Sequence, residues 1–130
     1  VMAATSLGAL LNDAGIPTNV ATPSTPLAVS PVIEQALTET AIEAVTNIIK
    51  HAPKSRSAGI EVRLHPASIE LLVTNRVDVL PEGDVRHFGG RGLSRARQRL
   101  VDCAGTLESE RTADGWGLRA TVPTGRAHGH

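Results

Sequence analysis

Aromatic side chains are almost absent from this chain. Phe88 and Trp116 are the only two, and there is no tyrosine. The core must therefore be built from Leu, Ile, Val and Ala. A surface for single-stranded nucleic acid, which needs several stacking rings, is disfavoured. One cysteine, Cys103, excludes an internal disulfide and does not suggest a zinc site. A reducing, cytosolic compartment is then the default expectation. Thirteen basic and thirteen acidic residues cancel, so no strong overall field draws nucleic acid or anionic lipid. No apolar run reaches the ~20 residues of a membrane-spanning helix. The N-terminus also lacks a basic region followed by an apolar signal core. What is present suits one globular domain: 130 residues, 41% of them hydrophobic and 20% charged.

Residues 2–14 place Leu7, Leu10, Leu11 and Ala14 at helical spacing, with Gly15 at a C-cap position. Residues 16–21 fit a short strand, and the proline-rich stretch 22–31 a connector. Ser30-Pro31 reads as an N-cap followed by an N1 proline, with Glu34 favourably placed in the first turn. The periodicity of Ile33, Leu37, Ala41, Ala44, Val45, Ile48 and Ile49 predicts a helix running to His51, stopped by Pro53. Alternation at Ile60, Val62 and Leu64, then at Ile69, Leu71 and Val73, predicts a hairpin over 58–75. Residues 76–92 read as a long loop, the kind that forms lids and binding loops. A helix follows over 93–104, with Leu93, Ala96, Arg97, Leu100 and Val101 on one side and Gly105 ending it. Strands at 106–111 and 117–122 join around Ala113-Asp114-Gly115, a hairpin turn. Segregated helices and antiparallel strands predict an α+β two-layer sandwich. The domain is expected to span 1–124, with a disordered tail at 125–130.

Three segments have chemical potential. On the long helix Glu43 and Asn47 are four apart, and Lys50 falls within about 60° of them on the edge of the apolar arc, with His51 a little further in. A carboxylate, an amide oxygen and an ammonium suit a hydrated Mg²⁺ and a polyphosphate, since magnesium takes hard oxygen ligands and keeps several waters. Taken alone, the same segment also reads as the solvated border of an amphipathic helix. Gly89-Gly90-Arg91-Gly92-Leu93 brings glycines to a helix start, where backbone N–H groups approach phosphate oxygens. It is not a Walker loop, and alone it equally fits a flexible loop end. Asn75 leaves a strand just before the loop, where its amide can face a base; as a bare sequence feature it is more often a turn residue.

The order of these segments is more specific than any one of them. The chain resembles the ATPase domain of the gyrase, Hsp90, histidine kinase and MutL superfamily. Within it, the chain is most similar to sensor histidine kinases that partner helix-turn-helix response regulators. Glu43-Ala-Val-Thr-Asn47-Ile-Ile-Lys50-His51-Ala52 resembles that family's N box. Gly89-Gly90-Arg91-Gly92-Leu93, with Arg95, Arg97, Leu100 and Gly105, resembles its second glycine box and following helix. Leu118 to Pro123 resembles its last strand. The resemblance covers about residues 5–123 and implies the Bergerat-type fold, a mixed and mostly antiparallel sheet with helices on one face. It implies ATP and Mg²⁺ as cofactors, with Asn47 on the metal and Glu43 beside the γ-phosphate, polarising a water or the incoming imidazole. Lys50 and His51 would contact phosphate, Gly90, Arg91, Gly92 and Leu93 would cradle the triphosphate, and residues 76–90 would form the lid.

Two positions depart from the family pattern. Where it has Asp-x-Gly-x-Gly, this chain has Asn75-Arg76-Val77-Asp78-Val79. Asn75 keeps a carbonyl acceptor for the adenine amino group but loses the charge. Trp116 stands where a threonine is expected near adenine, and its ring would stack on, cover or block the pocket. The resemblance thus implies nucleotide binding weaker than with an intact box. No phosphoacceptor helix is visible, so the chain is expected to be a fragment of a homodimeric kinase. Its missing part would carry the acceptor histidine, the dimer contact and a possible membrane sensor, with this domain cytoplasmic and making no direct contact with membrane or nucleic acid. Its expected partners are that dimerisation domain and a cognate response regulator. Two alternatives stand beside this reading: a serine kinase of the anti-sigma type on the same fold, and a degenerate module that binds no ATP and acts by docking proteins.

Overall fold

The computed structural model describes residues 3–23, 29–52, 54–77, 90–112 and 114–124. Among them lie three helices, α1 (Ala3–Asp13), α2 (Pro31–His51) and α3 (Gly90–Asp102). Five strands accompany them: β1 (Thr18–Ala21), β2 (Ser57–His65), β3 (Ser68–Arg76), β4 (Thr106–Thr112) and β5 (Gly115–Pro123). The strands form one sheet in the order β1-β2-β3-β5-β4. β1 runs parallel to β2 and every other pairing is antiparallel. The fold is thus α+β, with a mixed, mostly antiparallel sheet.

α2 starts as its sequence dictates. Ser30 has an extended backbone, its Oγ accepts the N–H of Ile33, and Pro31 occupies the first turn. Leu37, Ala41, Ala44, Val45 and Ile48 are buried against Ile60, Ile69, Leu71, Val73, Leu118, Ala120 and Val122 of the sheet in one core. Each large aliphatic side chain buried there stabilises the fold by about 1.5–3 kcal/mol. The hairpin β2–β3 has the expected alternation at Ile60, Val62, Ile69, Leu71 and Val73, with Ile60 opposite Val73 and Val62 opposite Leu71, but Leu64, expected on the buried face, is exposed next to the turn. Polar residues occupy the other face of the sheet. There Glu70 accepts from Arg119 at 3.0 Å and lies 3.1 Å from His65 Nε2. Arg63 bonds Glu61 through both carboxylate oxygens, which holds the Glu61 carboxyl below its usual range.

Four expectations about the helices need correction. In α1 the buried stripe is Ala4, Leu7, Gly8 and Leu11, whereas Leu10 and Ala14 are exposed. The stripe turns because Gly8 sits against β1, where a Cβ would meet Val20 Cγ2 at 2.4 Å. In α3 Ala96 and Leu100 are buried but Arg97 and Val101 are exposed, so the apolar face is narrower than the spacing suggested. α3 also begins at Gly90, three residues before its predicted start. After it, Ala104 takes the left-handed conformation (φ 63°) that the sequence assigns to glycine. Gly105 is needed for a different reason: a Cβ there would lie 2.8 Å from the Thr121 carbonyl oxygen of β5. The remaining differences are element ends one or two residues out.

Candidate functional site

The predicted site residues lie at the C-terminal half of α2, the end of β3, the start of α3 and the start of β5. Asn75 is the penultimate residue of β3, paired with Ala58 on one side and Trp116 on the other. It is 2% exposed, and its Nδ2 donates to Ser55 Oγ at 3.0 Å. Ser55 Oγ in turn donates to the carbonyl of Ala52, the C-cap of α2, at 2.6 Å. Asn75 Oδ1 is buried and has no hydrogen-bond partner. Close packing fixes this corner: a Cβ on Gly115 would fall 1.9 Å from the Asn75 carbonyl oxygen, and Val77 N–H donates to the Asp114 carbonyl at 2.7 Å.

Asn47 projects from α2 and is 7% exposed, with its Nδ2 buried and unpartnered. Leaving a buried amide group unsatisfied costs about 1–3 kcal/mol. Asn47 and Asn75 therefore hold unused hydrogen-bonding capacity. Thr124 Oγ1 is another such atom, but it follows β5 at the opposite end of the sheet.

Glu43, one turn before Asn47, is half-buried and lines a cleft of about 190 Å³ between α2 and α3. Ile42, Arg95, Ala96 and Arg99 share the cleft, and Arg99 is paired with Glu39. Lys50 and His51 are exposed in the last turn of α2, where positive charge complements the helix dipole. His51, expected further in than Lys50, is exposed because it is the last residue of the helix. The backbone of Gly90, Arg91, Gly92 and Leu93 forms the first turn of α3. Gly89 and the predicted lid residues 78–89 lie outside the described residues. Trp116 is 6% exposed and belongs to the core cluster, beside Asn75 across the strand pair.

These side chains carry oxygen atoms of the kind a magnesium nucleotide would use. Glu43 and Asn47 supply hard oxygen atoms, and Asn75 Oδ1 is an acceptor awaiting a donor. Among the described residues no three His, Cys, Asp or Glu side chains cluster as metal ligands. A hydrated Mg²⁺ shared between phosphates and one or two protein oxygens requires no such cluster. Sequence reasoning missed Ser55 and Glu39. Ser55 is twenty residues from Asn75, and only the β2–β3 register brings them together. Glu39 gave no signal beyond helix amphipathicity.

No protein-family model and no curated protein matches the sequence. Solved structures do match its shape. The catalytic domain of the histidine kinase ThkA superposes with a TM-score of 0.66 at 18% identity, covering 92% of this chain and 88% of that one. The histidine kinase domain of the Erythrobacter litoralis blue-light activated histidine kinase gives 0.70 at 19% identity, covering 95% and 58%. The Acinetobacter baumannii histidine kinase AdeS gives 0.67 at 15% identity, covering 92% and 60%. This is the fold of histidine kinase catalytic domains. ThkA has also been solved in complex with the response regulator TrrA, and there this chain matches 39% of the kinase. The longer histidine kinases therefore extend well beyond the part matched here. Among the described residues of this histidine kinase-type fold, no helix is long and apolar enough to cross a membrane.

Proposed function

We propose that this chain is the ATP-binding catalytic module of a sensor histidine kinase, acting in two-component signal transduction. The observation that carries the proposal is the pair of buried asparagines. On a fold shared with histidine kinase catalytic domains, Asn75 keeps a buried acceptor, Oδ1, without a partner, and Asn47 a buried donor, Nδ2, that would serve a phosphate or water oxygen while its carbonyl faces the metal. Both occupy positions where the family resemblance expects nucleotide contacts.

In this reading Asn75 accepts a hydrogen bond from the base and Asn47 offers its amide oxygen to Mg²⁺. Lys50 and His51, together with the backbone of Gly90 to Leu93, neutralise and orient the phosphates. Glu43 holds a water or the incoming imidazole in line. When bound, Mg²⁺-ATP supplies the phosphoryl group; the protein contributes positioning and charge neutralisation, as in phosphoryl transfer generally. The acceptor histidine belongs to a dimerisation domain outside this sequence, and a response regulator receives the group next. The ThkA–TrrA complex supports a partner of that class. The module works on the cytoplasmic side of a homodimeric kinase.

Calorimetric titration with a non-hydrolysable ATP analogue, with and without Mg²⁺, tests the proposal. Metal-dependent binding is expected, weaker than for a domain with an aspartate at position 75. A second reading is favoured by Trp116, which is buried beside Asn75 where a smaller residue is expected. In that reading the module has lost nucleotide binding and acts by protein docking. No binding in either titration would select it.

A further inference from the structure

We propose that Ser55 is a positioning residue that locks the Asn75 amide so that the pocket selects a 6-aminopurine over a 6-oxopurine. The inference rests on the nucleotide-binding reading above. An aspartate at position 75 would need no such device, because its two oxygens both accept. An asparagine has a donor end and an acceptor end, and turning it over inverts what it offers. With the carbonyl presented, the amide receives an exocyclic amino group. With the NH₂ presented, it opposes that amino group and suits a 6-oxo group.

The hydrogen-bond relay decides between the two. The Ser55 hydroxyl has one proton, and it is committed to the Ala52 carbonyl at 2.6 Å. Ser55 N–H donates to the same carbonyl at 3.0 Å, and Ala52 is itself held by its N–H bond to Ile48 at 2.8 Å. Ser55 Oγ therefore faces Asn75 with a lone pair, and only the Nδ2 end of the amide satisfies it, at 3.0 Å. A flipped amide would set oxygen against oxygen. Ser55 is 5% exposed, so no water competes freely for that contact. Asn75 is held on both sides by the sheet, so its backbone cannot adjust. The end of the N box helix thus fixes the polarity of a base contact made from the centre of the sheet.

Binding of ADP and of inosine diphosphate to the 130-residue chain, measured by calorimetry with Mg²⁺, tests this. The wild-type chain should prefer ADP. Ser55→Ala should reduce the ADP-to-inosine diphosphate affinity ratio by about tenfold, the order of one oriented hydrogen bond, and Ser55→Thr, which keeps the hydroxyl, should restore it. A merely structural role would lower the melting temperature and weaken both ligands alike, leaving the ratio unchanged. That outcome, with ADP still bound by the wild type, overturns the role of Ser55 alone. If the wild type binds neither nucleotide, the nucleotide-binding reading falls and this inference with it. Should Ser55→Ala not fold, Ser55→Cys carries the same test, because a thiol sulfur is a weak acceptor of similar size.

Discussion

Truncating Asn47 to alanine removes an amide whose nitrogen is buried without a partner, so the fold itself loses little. The expected loss is functional: Asn47→Ala should abolish the Mg²⁺ dependence of ATP-analogue binding, and calorimetry with and without metal reads it directly. Unchanged metal dependence would take Asn47 out of the site. Glu43→Gln conserves shape and removes a charge at the α2–α3 cleft. It should leave binding nearly intact and slow phosphotransfer in the full-length kinase by roughly 10²-fold or more. Equal rates in both proteins would reject a chemical role for the carboxylate. That Glu43 and Asn47 share one side of α2 was legible in the sequence, because helical geometry alone puts positions four apart together. The Ser55–Asn75 contact was not legible. It depends on strand register and on where α2 ends, and neither leaves a mark in residue spacing.

At the scale of elements, α2 and the β2–β3 hairpin were readable because local signals agree. Capping, an N1 proline and a 3.6-residue period specify α2, and strict alternation specifies the hairpin. Ser30→Ala should lower stability by about 1 kcal/mol by orphaning the Ile33 N–H. Leu37→Ala, at a fully buried position, should cost about 2–5 kcal/mol. Urea denaturation of the two variants separates them by that margin; similar midpoints would mean that α2 is not packed as described. What the sequence hid is the meaning of its glycines. Gly105 reads as a helix stop, yet Ala104 makes the left-handed turn and Gly105 lets the chain pass β5. Gly115 reads as half of an Asp-Gly turn, yet its lack of a side chain lets it lie against the Asn75 backbone. Gly115→Ala should therefore destabilise by about 1–3 kcal/mol, as overpacking does, and disturb the site at the same time.

Across the whole molecule, the antiparallel pairing of each hairpin was predictable but the sheet order was not. β3 neighbours β5 rather than β4, and β1 joins in parallel across the whole length of α2. Such pairings are chosen by which buried faces meet, and β1 offers only four residues to read. The order places β3 at the centre and β1 and β4 at the edges. Hydrogen exchange should follow that arrangement, with Leu71 and Val73 amides among the slowest and those of β1 among the fastest. Early exchange in β3 would contradict the topology. The same arrangement puts Trp116, the chain's sole indole, directly across from Asn75. Its emission is therefore a native optical reporter, free of background from any other tryptophan or tyrosine. A nucleotide carrying a fluorescent acceptor on its ribose should accept excitation energy from that ring over a distance well inside the range for efficient transfer, so occupancy is readable in real time without labelling the protein.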